Sequence, residues 1–320
     1  MAGIPEAWKL SAEARAKIFQ EQIAPHEVIP HISSNHKTDG KRPLAVIVVG
    51  QTGAGKTRLA PDLLKAMFNA KLNPAHFIAD TYKTYHPYYA ECLQKAPEKA
   101  SILAGLDARI WLSMACEYAV AERIDVLVES ACRHPDDFCK LAKIFYKGGF
   151  KVRVAILAVP EALSRLGILV RYHRNLPEAR SRNLPLRLTP KKVHDDSYAG
   201  LASVAQFVDE DPAADIVIVV RRNNMLSYQN ERMNEGRRDW LIEPGAYRSV
   251  QAERFRDLSA DEKMVALQDI EELRGLQDPT VDDEIAEIES FLAALEAGHH
   301  GHGPFPPLEL LDADEFIAER

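Results

Sequence analysis

A glycine-rich octapeptide that directly follows an apolar run is the feature that most constrains this chain. The run, LAVIVV at 44–49, shows no alternation of polar and apolar residues, which is typical of a strand buried on both faces of a parallel sheet. The octapeptide GQTGAGKT at 50–57 matches the pattern GxxxxGK[ST], and helix-forming sequence follows it. A strand, a glycine-rich turn and a helix in this order predict a phosphate-binding loop.

The residue types of this loop suit a nucleoside triphosphate. Its glycines let backbone N–H groups point into one concavity, and the helix N-terminus adds partial positive charge. Lys56 can reach the β- and γ-phosphates, and Thr57 can offer a hydroxyl to a metal ion. We therefore predict ATP and Mg²⁺ as cofactors. The nucleotide is expected to contact the whole octapeptide: Gly50, Gln51, Thr52, Gly53, Ala54, Gly55, Lys56 and Thr57.

Apolar runs alternate with helical patterns along most of the chain, which favours an α/β fold. We predict a mostly parallel five-stranded sheet flanked by helices, with a C-terminal helical extension. The expected strands are 44–49, 76–80, 124–129, 151–159 and 215–220. An amphipathic helix over 5–24 is expected to end at Pro25, and the segment after 222 is expected to be a loop. The predicted domains are an N-terminal helix and linker (1–43), a core (44–225) and an acidic, mainly helical extension (226–320).

The net charge of −7 conceals an asymmetry between the body of the chain and its end. Residues 261–320 hold 17 acidic and 3 basic residues, whereas the preceding 260 residues hold 30 acidic and 37 basic ones. A basic body suits an anionic ligand. Two acidic amphipathic helices are predicted within 259–297, with Ser259 and Glu262 as a capping box. They are expected to brace the core, and the alternative is that they restrict entry to the basic segment 165–192.

Several classes of protein are excluded by composition. The longest apolar run has about seven residues, against the roughly 20 that a membrane helix needs, so no membrane partner is expected. The N-terminus lacks a secretory pattern and the four cysteines form no CxxC pair, which predicts a cytoplasmic protein with reduced thiols. Eight arginines and lysines lie within 165–192, but no RNP-like aromatic pattern accompanies them, so no nucleic acid partner is expected.

A phosphate loop leaves the reaction open between a kinase, a GTP switch and an ATP-driven motor. The DxxG and NKxD motifs of a GTP switch are absent from the sequence, and the strand 124–128 ends in the single acid Glu129 rather than in an acidic pair. These observations favour a kinase. Asp80 ends the second predicted strand, where it would face the γ-phosphate and could orient or deprotonate an acceptor hydroxyl. Glu129 has the same placement on the third strand.

Four stretches in order resemble the zeta toxin family of P-loop kinases. GQTGAGKT is similar to the family's GQPGSGKT, and ADTYKTYHPYY is similar to its D-[ST]-aromatic-x-x-x-HP segment. LVESACRHPDDF resembles a strand ending in E-x-x-x-R. AVPEALSRLGILVRY and LRLTPKKVHD resemble the family's A-x-P…S-x-x-R-Y and R-x-T…HD pair. The resembling region spans about 44–222.

The resemblance implies ATP-dependent phosphorylation of a hydroxyl on a nucleotide-activated sugar, typically UDP-N-acetylglucosamine, by the toxin of a toxin–antitoxin system. A small helical antitoxin is the implied protein partner. Lys56 and Thr57 would bind ATP and magnesium, Asp80 would be the general base, and Glu129 and Arg133 would contact the sugar nucleotide. Arg171 and Arg187 would stabilise the transferring phosphate.

The sequence departs from the family between Glu129 and Arg133. The family's Gly-Thr-Gly is replaced by Ser130-Ala131-Cys132, on the acceptor side of the predicted site. A related nucleotide sugar or a dinucleotide therefore stays open as the acceptor. Two alternative functions also remain at this point: a P-loop kinase of another small metabolite or antibiotic, and a non-catalytic ATP-binding regulator.

Overall fold

The computed structural model describes residues 8–32, 42–182, 186, 188–233, 239–297 and 308–318. Its centre is one seven-stranded sheet with the strand order β2-β3-β1-β4-β5-β6-β7. The first five strands are parallel, and the last two pair antiparallel at one edge. The strands are β1 (Leu44–Gly50), β2 (Ala75–Ile78), β3 (Val126–Ser130), β4 (Lys151–Leu157), β5 (Ile216–Val220), β6 (Met225–Glu231) and β7 (Glu309–Leu310).

Helices cover both faces of the sheet. The α-helices are α1 (Ala12–Ile18), α2 (Lys56–Asn69), α3 (Ala79–Tyr82), α4 (Tyr89–Lys95), α5 (Pro97–Glu122), α6 (Pro135–Lys147), α7 (Glu161–Ser181), α8 (Lys191–Glu210), α9 (Ala246–Phe255), α10 (Ala260–Arg274), α11 (Pro279–Ala297) and α12 (Ala313–Ile317). No helix in the described part of the chain combines the length and the apolar character that crossing a membrane requires.

Strand β1 shows why the sheet is buried on both faces. Ala45, Ile47 and Val49 face one hydrophobic core, which α5, α6 and α8 complete. Leu44 and Val46 face a second core on the other side, which α2, α7, α10 and α11 complete. Successive side chains of a strand point to opposite faces, so a strand between two helical layers is apolar throughout. The prediction of a helix-flanked parallel sheet is confirmed.

The predicted number of five strands was wrong, because the edge of the sheet contains two more. Strand β6 lies in the segment predicted to be a loop, and it pairs with β5 in the register Val217↔Asn230. Most of its residues keep partial exposure, and β7 adds only two residues beyond it. Strands at the edge of a sheet are held chiefly by main-chain hydrogen bonds. Their sequences therefore need no apolar run from which a strand could be predicted.

The N-terminal helix also differs from the prediction. Helix α1 ends at Ile18, but the chain continues as a π-helix over Phe19–Val28 with Pro25 inside it. Proline was expected to end the helix because it lacks an N–H group. The i→i+5 pattern of a π-helix instead carries the chain past that point. Phe19 and Ile23 are buried in the first core.

The two acidic C-terminal helices and the capping box are confirmed. Ser259 accepts from the Glu262 N–H, and the Glu262 side chain accepts from the Ser259 N–H. Ile270 of α10 and Ile285 of α11 are buried in the second core. Both helices lie against α7, where Arg174 pairs with Asp269 and Glu272. The helices therefore contact the basic segment 165–192, and they also bury apolar side chains in the second core, as a brace would.

Candidate active site

The phosphate loop (50–57) connects the end of β1 to the start of α2. Gly55 is the N-cap residue of α2 and has φ +105°, and Gly53 has φ +82°. These are left-handed conformations that favour glycine. A Cβ at Gly53 would also lie 2.1 Å from the Ser164 carbonyl oxygen. The predicted strand–turn–helix context is thus present, and the glycines are required by the turn and by close packing against α7.

Lys56 lies across the mouth of this loop. Its Nζ donates to the carbonyl oxygens of Gly50 at 2.8 Å and Gln51 at 3.4 Å. Burial lowers the pKa of Lys56, and the nearby carboxylates of Glu129 and Asp80 partly offset that decrease. The ammonium is therefore held beside the loop by carbonyl groups, from which it could transfer its hydrogen bonds to an incoming phosphate.

Side chains from distant segments hold the rest of the loop. Gln51 is fully buried, and its Nε2 donates to the Val159 carbonyl oxygen at 2.6 Å. The Thr52 N–H donates to Ser197 Oγ at 3.0 Å, and that hydroxyl donates to the His194 carbonyl oxygen at 2.8 Å. The connection between β4 and α7, together with α8, thereby fixes the loop from one side. Ser197 was not predicted, because nothing in the neighbouring sequence marks a serine 145 residues away as a contact of the loop.

His194 centres a buried polar cluster behind the loop. Its Nε2 lies 2.8 Å from Ser164 Oγ, and its Nδ1 lies 3.2 Å from Asp195 Oδ1. The Ser–His–Asp order resembles a hydrolytic triad, but Ser164 is fully buried and its Oγ donates to backbone carbonyls. A nucleophile must reach its substrate, so we assign the cluster a structural role.

The same cluster brings together the ligand atoms of Glu161, His194 and Asp195 within 4.8 Å of one another. The Arg165 guanidinium already lies between the two carboxylates, at 2.8 Å from Glu161 and 2.7 Å from Asp195. A fixed cation therefore neutralises these acids, and the three residues need no metal ion.

Asp80 lies beyond β2, on the short helix α3. Its side chain is 82% exposed and forms an ion pair with Lys83 at 2.5 Å. Desolvation by the surrounding protein opposes ionisation, but Lys83, Lys56 and Arg171 outweigh it and lower the pKa of Asp80. The carboxylate is consequently ionised near neutral pH, on the same edge of the sheet as the phosphate loop.

Glu129 lies on β3, between β1 and β2. It is opposite Val48 on one side and Ile78 on the other, and its side chain is only 8% exposed. His76 of β2 contacts it, with 2.9 Å between Nε2 and Glu129 Oε1. The contact forms because Ile78 is opposite Glu129, and His76, two residues before Ile78, is on the same face of the sheet. His76 was not predicted as a site residue, although it lies in the same predicted strand, HFIAD, as Asp80.

The segment after Glu129 has an unusual backbone. Cys132 is buried and has φ +55°, a conformation that glycine adopts without strain. Burial raises the pKa of its thiol to about 12, despite the nearby Lys56 ammonium. Cys132 stands where the family has the second glycine of Gly-Thr-Gly. An uncharged side chain therefore lies directly beside the phosphate loop.

The remaining predicted site residues are less tightly held. Arg171 is exposed on α7, where its guanidinium lies 3.5 Å from Thr189 Oγ1. Its charge acts on both Lys56 and Asp80. Arg133 lies 3.5 Å from Asp196, and Thr57 is exposed on the first turn of α2. Arg187 lies outside the described residues.

The sequence pattern of the zeta toxin family matches residues 30–233 of this chain. The chain belongs to the zeta toxin family. The matched region contains β1 to β6 and every residue predicted for the site. Family membership and the phosphate loop together identify a P-loop kinase fold and a phosphotransferase.

Individual bacterial toxins are similar to parts of the chain. Toxin PezT of Streptococcus pneumoniae is 26% identical over 213 residues, which are 65% of this chain and 79% of that toxin. Toxin zeta of Enterococcus hirae is 26% identical over 160 residues, about half of each protein. A solved structure from the PezAT chromosomal toxin–antitoxin system of Streptococcus pneumoniae superposes with a TM-score of 0.62 at 18% identity. The superposition covers 89% of this chain and 100% of that one, which shows the shared fold.

Proposed function

We propose that this protein transfers the γ-phosphate of ATP to a hydroxyl of a nucleotide-activated sugar, UDP-N-acetylglucosamine or a related compound. The observation that carries the proposal is the meeting of Lys56, Asp80, Glu129 and Arg171 at one edge of the sheet. These four charges lie close enough that Asp80, Glu129 and Arg171 each act on the Lys56 ammonium. A cation at a phosphate loop, flanked by carboxylates and an arginine, is the set that phosphoryl transfer to a hydroxyl requires.

The residues of the phosphate loop fit ATP and Mg²⁺. The left-handed glycines at 53 and 55 form a cradle that side chains would disturb, and Lys56 offers an ammonium at its mouth. Thr57, exposed on the first helical turn, offers the hydroxyl suited to a magnesium ion. Bound ATP with Mg²⁺ would supply the phosphoryl group and neutralise part of its charge. Contacts from the whole octapeptide, Gly50 to Thr57, would hold the triphosphate.

The acceptor would be held by the ends of β2 and β3. The ionised Asp80 can accept a hydrogen bond from a sugar hydroxyl and take its proton as the general base. Glu129 is buried enough that a hydrogen bond from a substrate hydroxyl would be well shielded from water. Arg133 can contact the diphosphate of a nucleotide sugar, for which it must leave its 3.5 Å contact with Asp196. We propose Arg171 and Arg187 as the cations that stabilise the transferring phosphate.

The core of this kinase is proposed to be 44–225, with 1–43 and 226–320 as appendages. The family match at 30–233 supports a core of about this extent. Both appendages bury apolar residues against it: Phe19 and Ile23 in the first core, and Ile270 and Ile285 in the second. We therefore expect neither appendage to fold or move as an independent unit.

The experiment incubates the protein with ATP, Mg²⁺ and each member of a panel of nucleotide sugars and dinucleotides. Mass spectrometry should show one acceptor heavier by a phosphoryl group, with an equal amount of ADP. The Lys56→Ala variant is the control for contaminating kinases. ATP binding without transfer to any member of the panel would contradict the proposed acceptor class and favour a regulator.

The family and the names of the relatives support a role as the toxin of a toxin–antitoxin system, and we propose a small helical protein as the antitoxin. Induced expression in bacteria tests the toxin role. The wild-type chain should arrest growth, and Asp80→Asn at equal expression should not. Unimpaired growth with the active enzyme would separate the kinase activity from toxicity.

A further inference from the structure

Arg222 lies just after β5 and contacts the back of the phosphate loop. Its Nη2 donates to the carbonyl oxygens of Gly53 and Leu163, at 2.7 Å each, and its Nε donates to the Ala54 carbonyl oxygen at 3.3 Å. Its hydrogen-bond partners in the described part of the chain are backbone carbonyls, and Asp269 and Glu262 act on it only at longer range. One guanidinium therefore joins the loop to the first turns of α7.

These contacts fix the direction of two consecutive peptide groups. The carbonyl and N–H groups of a trans peptide point in opposite directions. When Arg222 holds the Gly53 carbonyl, the Ala54 N–H points away from it, and this N–H donates to the Gln51 carbonyl at 3.0 Å. When Arg222 holds the Ala54 carbonyl, the Gly55 N–H likewise points to the opposite side of the loop. The Ala54 N–H is thus used within the loop, and the Gly55 N–H is directed toward the side on which such loops bind an anion.

Gly167 leaves room for the guanidinium. A Cβ at this position would lie 3.0 Å from Arg222 Nη2 and 3.1 Å from the Gly53 carbonyl oxygen. Gly167 is in the interior of α7, where glycine is otherwise unfavourable. Its presence is explained by the space that Arg222 and the loop occupy.

The charge of Arg222 also bears on a phosphate ligand. Burial, together with the nearby Arg58, lowers the pKa of Arg222 to about 10. The guanidinium is consequently still positive at neutral pH, behind a loop that already offers Lys56 in front. A cation that is held by carbonyl groups and has no ion pair among the described residues adds to the positive potential that attracts a triphosphate.

We propose that Arg222 is a positioning residue for nucleotide binding, which sets the peptide orientation of the phosphate loop and adds a positive charge behind it. The proposal rests on the proposed nucleotide binding, but it does not depend on the acceptor. It assigns a role to a residue 168 or 169 positions away from the loop atoms that it contacts.

The test measures the affinity of ATP and of ADP by calorimetry, without any acceptor. We expect Arg222→Gln to weaken both affinities about tenfold or more, the loss that corresponds to a charge-assisted hydrogen bond. Arg222→Lys keeps the charge but cannot reach all three carbonyls, so it should lie between Arg222→Gln and wild type. Arg58→Gln removes an exposed charge from the same neighbourhood, and it should change the affinity by about twofold at most.

Two further readouts separate loop positioning from general stability. In Arg222→Gln, hydrogen exchange should become faster in a peptide covering 50–57 and stay unchanged in peptides from β1 and β4. Gly167→Ala should weaken nucleotide binding although alanine favours a helix. Wild-type ATP affinity in folded Arg222→Gln, or a more stable Gly167→Ala variant with unchanged affinity, would overturn the proposal. A wild-type protein that binds ATP but phosphorylates no acceptor would contradict only the proposed function.

Discussion

The donor side and the acceptor side of the proposed site are built in different ways. On the donor side, the phosphate loop is held by hydrogen bonds to three separate segments, at Val159, Ser197 and Arg222. The acceptor side consists of the ends of β2 and β3 and the residues that follow them. There, the side chain of Asp80 is largely exposed and forms an ion pair with Lys83. A triphosphate is the same ligand in every kinase of this type, whereas acceptors differ.

The departure from the family, Ser130-Ala131-Cys132, lies on the second of these two sides. Within it, Cys132 occupies a left-handed position. The rigid donor side thus agrees with the family's motif, and the changes concern groups that would meet the acceptor. The comparison predicts that substitutions on the acceptor side alter transfer while nucleotide binding persists.

The largest expected effect follows from replacing Asp80, and it tests the separation of the two sides. Asp80→Asn should lower kcat by about 10²–10⁴-fold, because the acceptor hydroxyl loses its proton acceptor. The affinity for ATP should stay unchanged, because the phosphate loop is untouched. Steady-state kinetics and calorimetry give the two quantities. Asp136→Asn, an exposed acid on α6, is the matched control, and a fully active Asp80→Asn enzyme would remove Asp80 from the mechanism.

The pH dependence of wild-type transfer should reflect the same residue. Lys83, Lys56 and Arg171 lower the pKa of Asp80 below its ordinary value of 3.8. The reactive carboxylate is therefore present above that pH and is lost only as the pH falls through the lowered pKa. Protonation of Asp80 should cause no decrease in kcat/KM between pH 7 and pH 5. Lys83→Ala should move any acid limb of the profile to higher pH, and a shift to lower pH would contradict the assigned ion pair.

Arg171 is predicted to stabilise the phosphate as it passes from the donor side to the acceptor side. Arg171→Ala should lower kcat by about 10²–10³-fold, the usual loss for one group that stabilises transition-state charge, with a smaller rise in KM. Arg174 lies one turn further along α7 but is held by Asp269 and Glu272. Arg174→Ala should therefore leave kcat within about threefold, the range of a surface ion pair. An effect of Arg171→Ala on KM alone would restrict the residue to ground-state binding.

The C-terminal helices should stabilise the donor side rather than restrain the enzyme. Ile285 of α11 is fully buried in the core that α7 shares. Ile285→Ala should lower the free energy of unfolding by about 2–5 kcal/mol, because it leaves a cavity. Leu267→Ala on α10, where the side chain is 63% exposed, should stay within about 0.5 kcal/mol. Thermal melts and kcat/KM check this, and a variant that is both stable and faster would indicate an inhibitory extension.

The smallest expected effect concerns the strained position on the acceptor side. Cys132→Gly and Cys132→Ala both remove the thiol, so their comparison isolates the backbone. At φ +55° glycine should be the more stable by about 1 kcal/mol. Denaturant unfolding of the two variants measures the difference. Equal stabilities would show that the backbone at position 132 relaxes, and would contradict the proposed strain on the acceptor side.

Local patterns were sufficient to predict most of the fold. The five parallel strands lie within two residues of their predicted boundaries, because strands buried on both faces are continuous apolar runs. The capping box at Ser259 could likewise be predicted from neighbouring residues. Strand β6 was missed because it is held mainly by main-chain hydrogen bonds to β5, which leave no apolar run in its sequence. The π-helix over Phe19–Val28 was missed because proline usually ends a helix.

The sequence by itself determined the phosphate loop, the positions along the chain of the five parallel strands, and the family. Each of these depends on motifs whose residues are close along the chain. Only the tertiary structure decided which distant groups support that loop. Ser197, His194 and Arg222 contact it or its neighbours from positions 30 to 169 residues away. It also decided that His76 meets Glu129 and that Cys132 adopts a left-handed backbone. Such contacts form when packed helices and strands close long loops, so no local pattern in the chain records them.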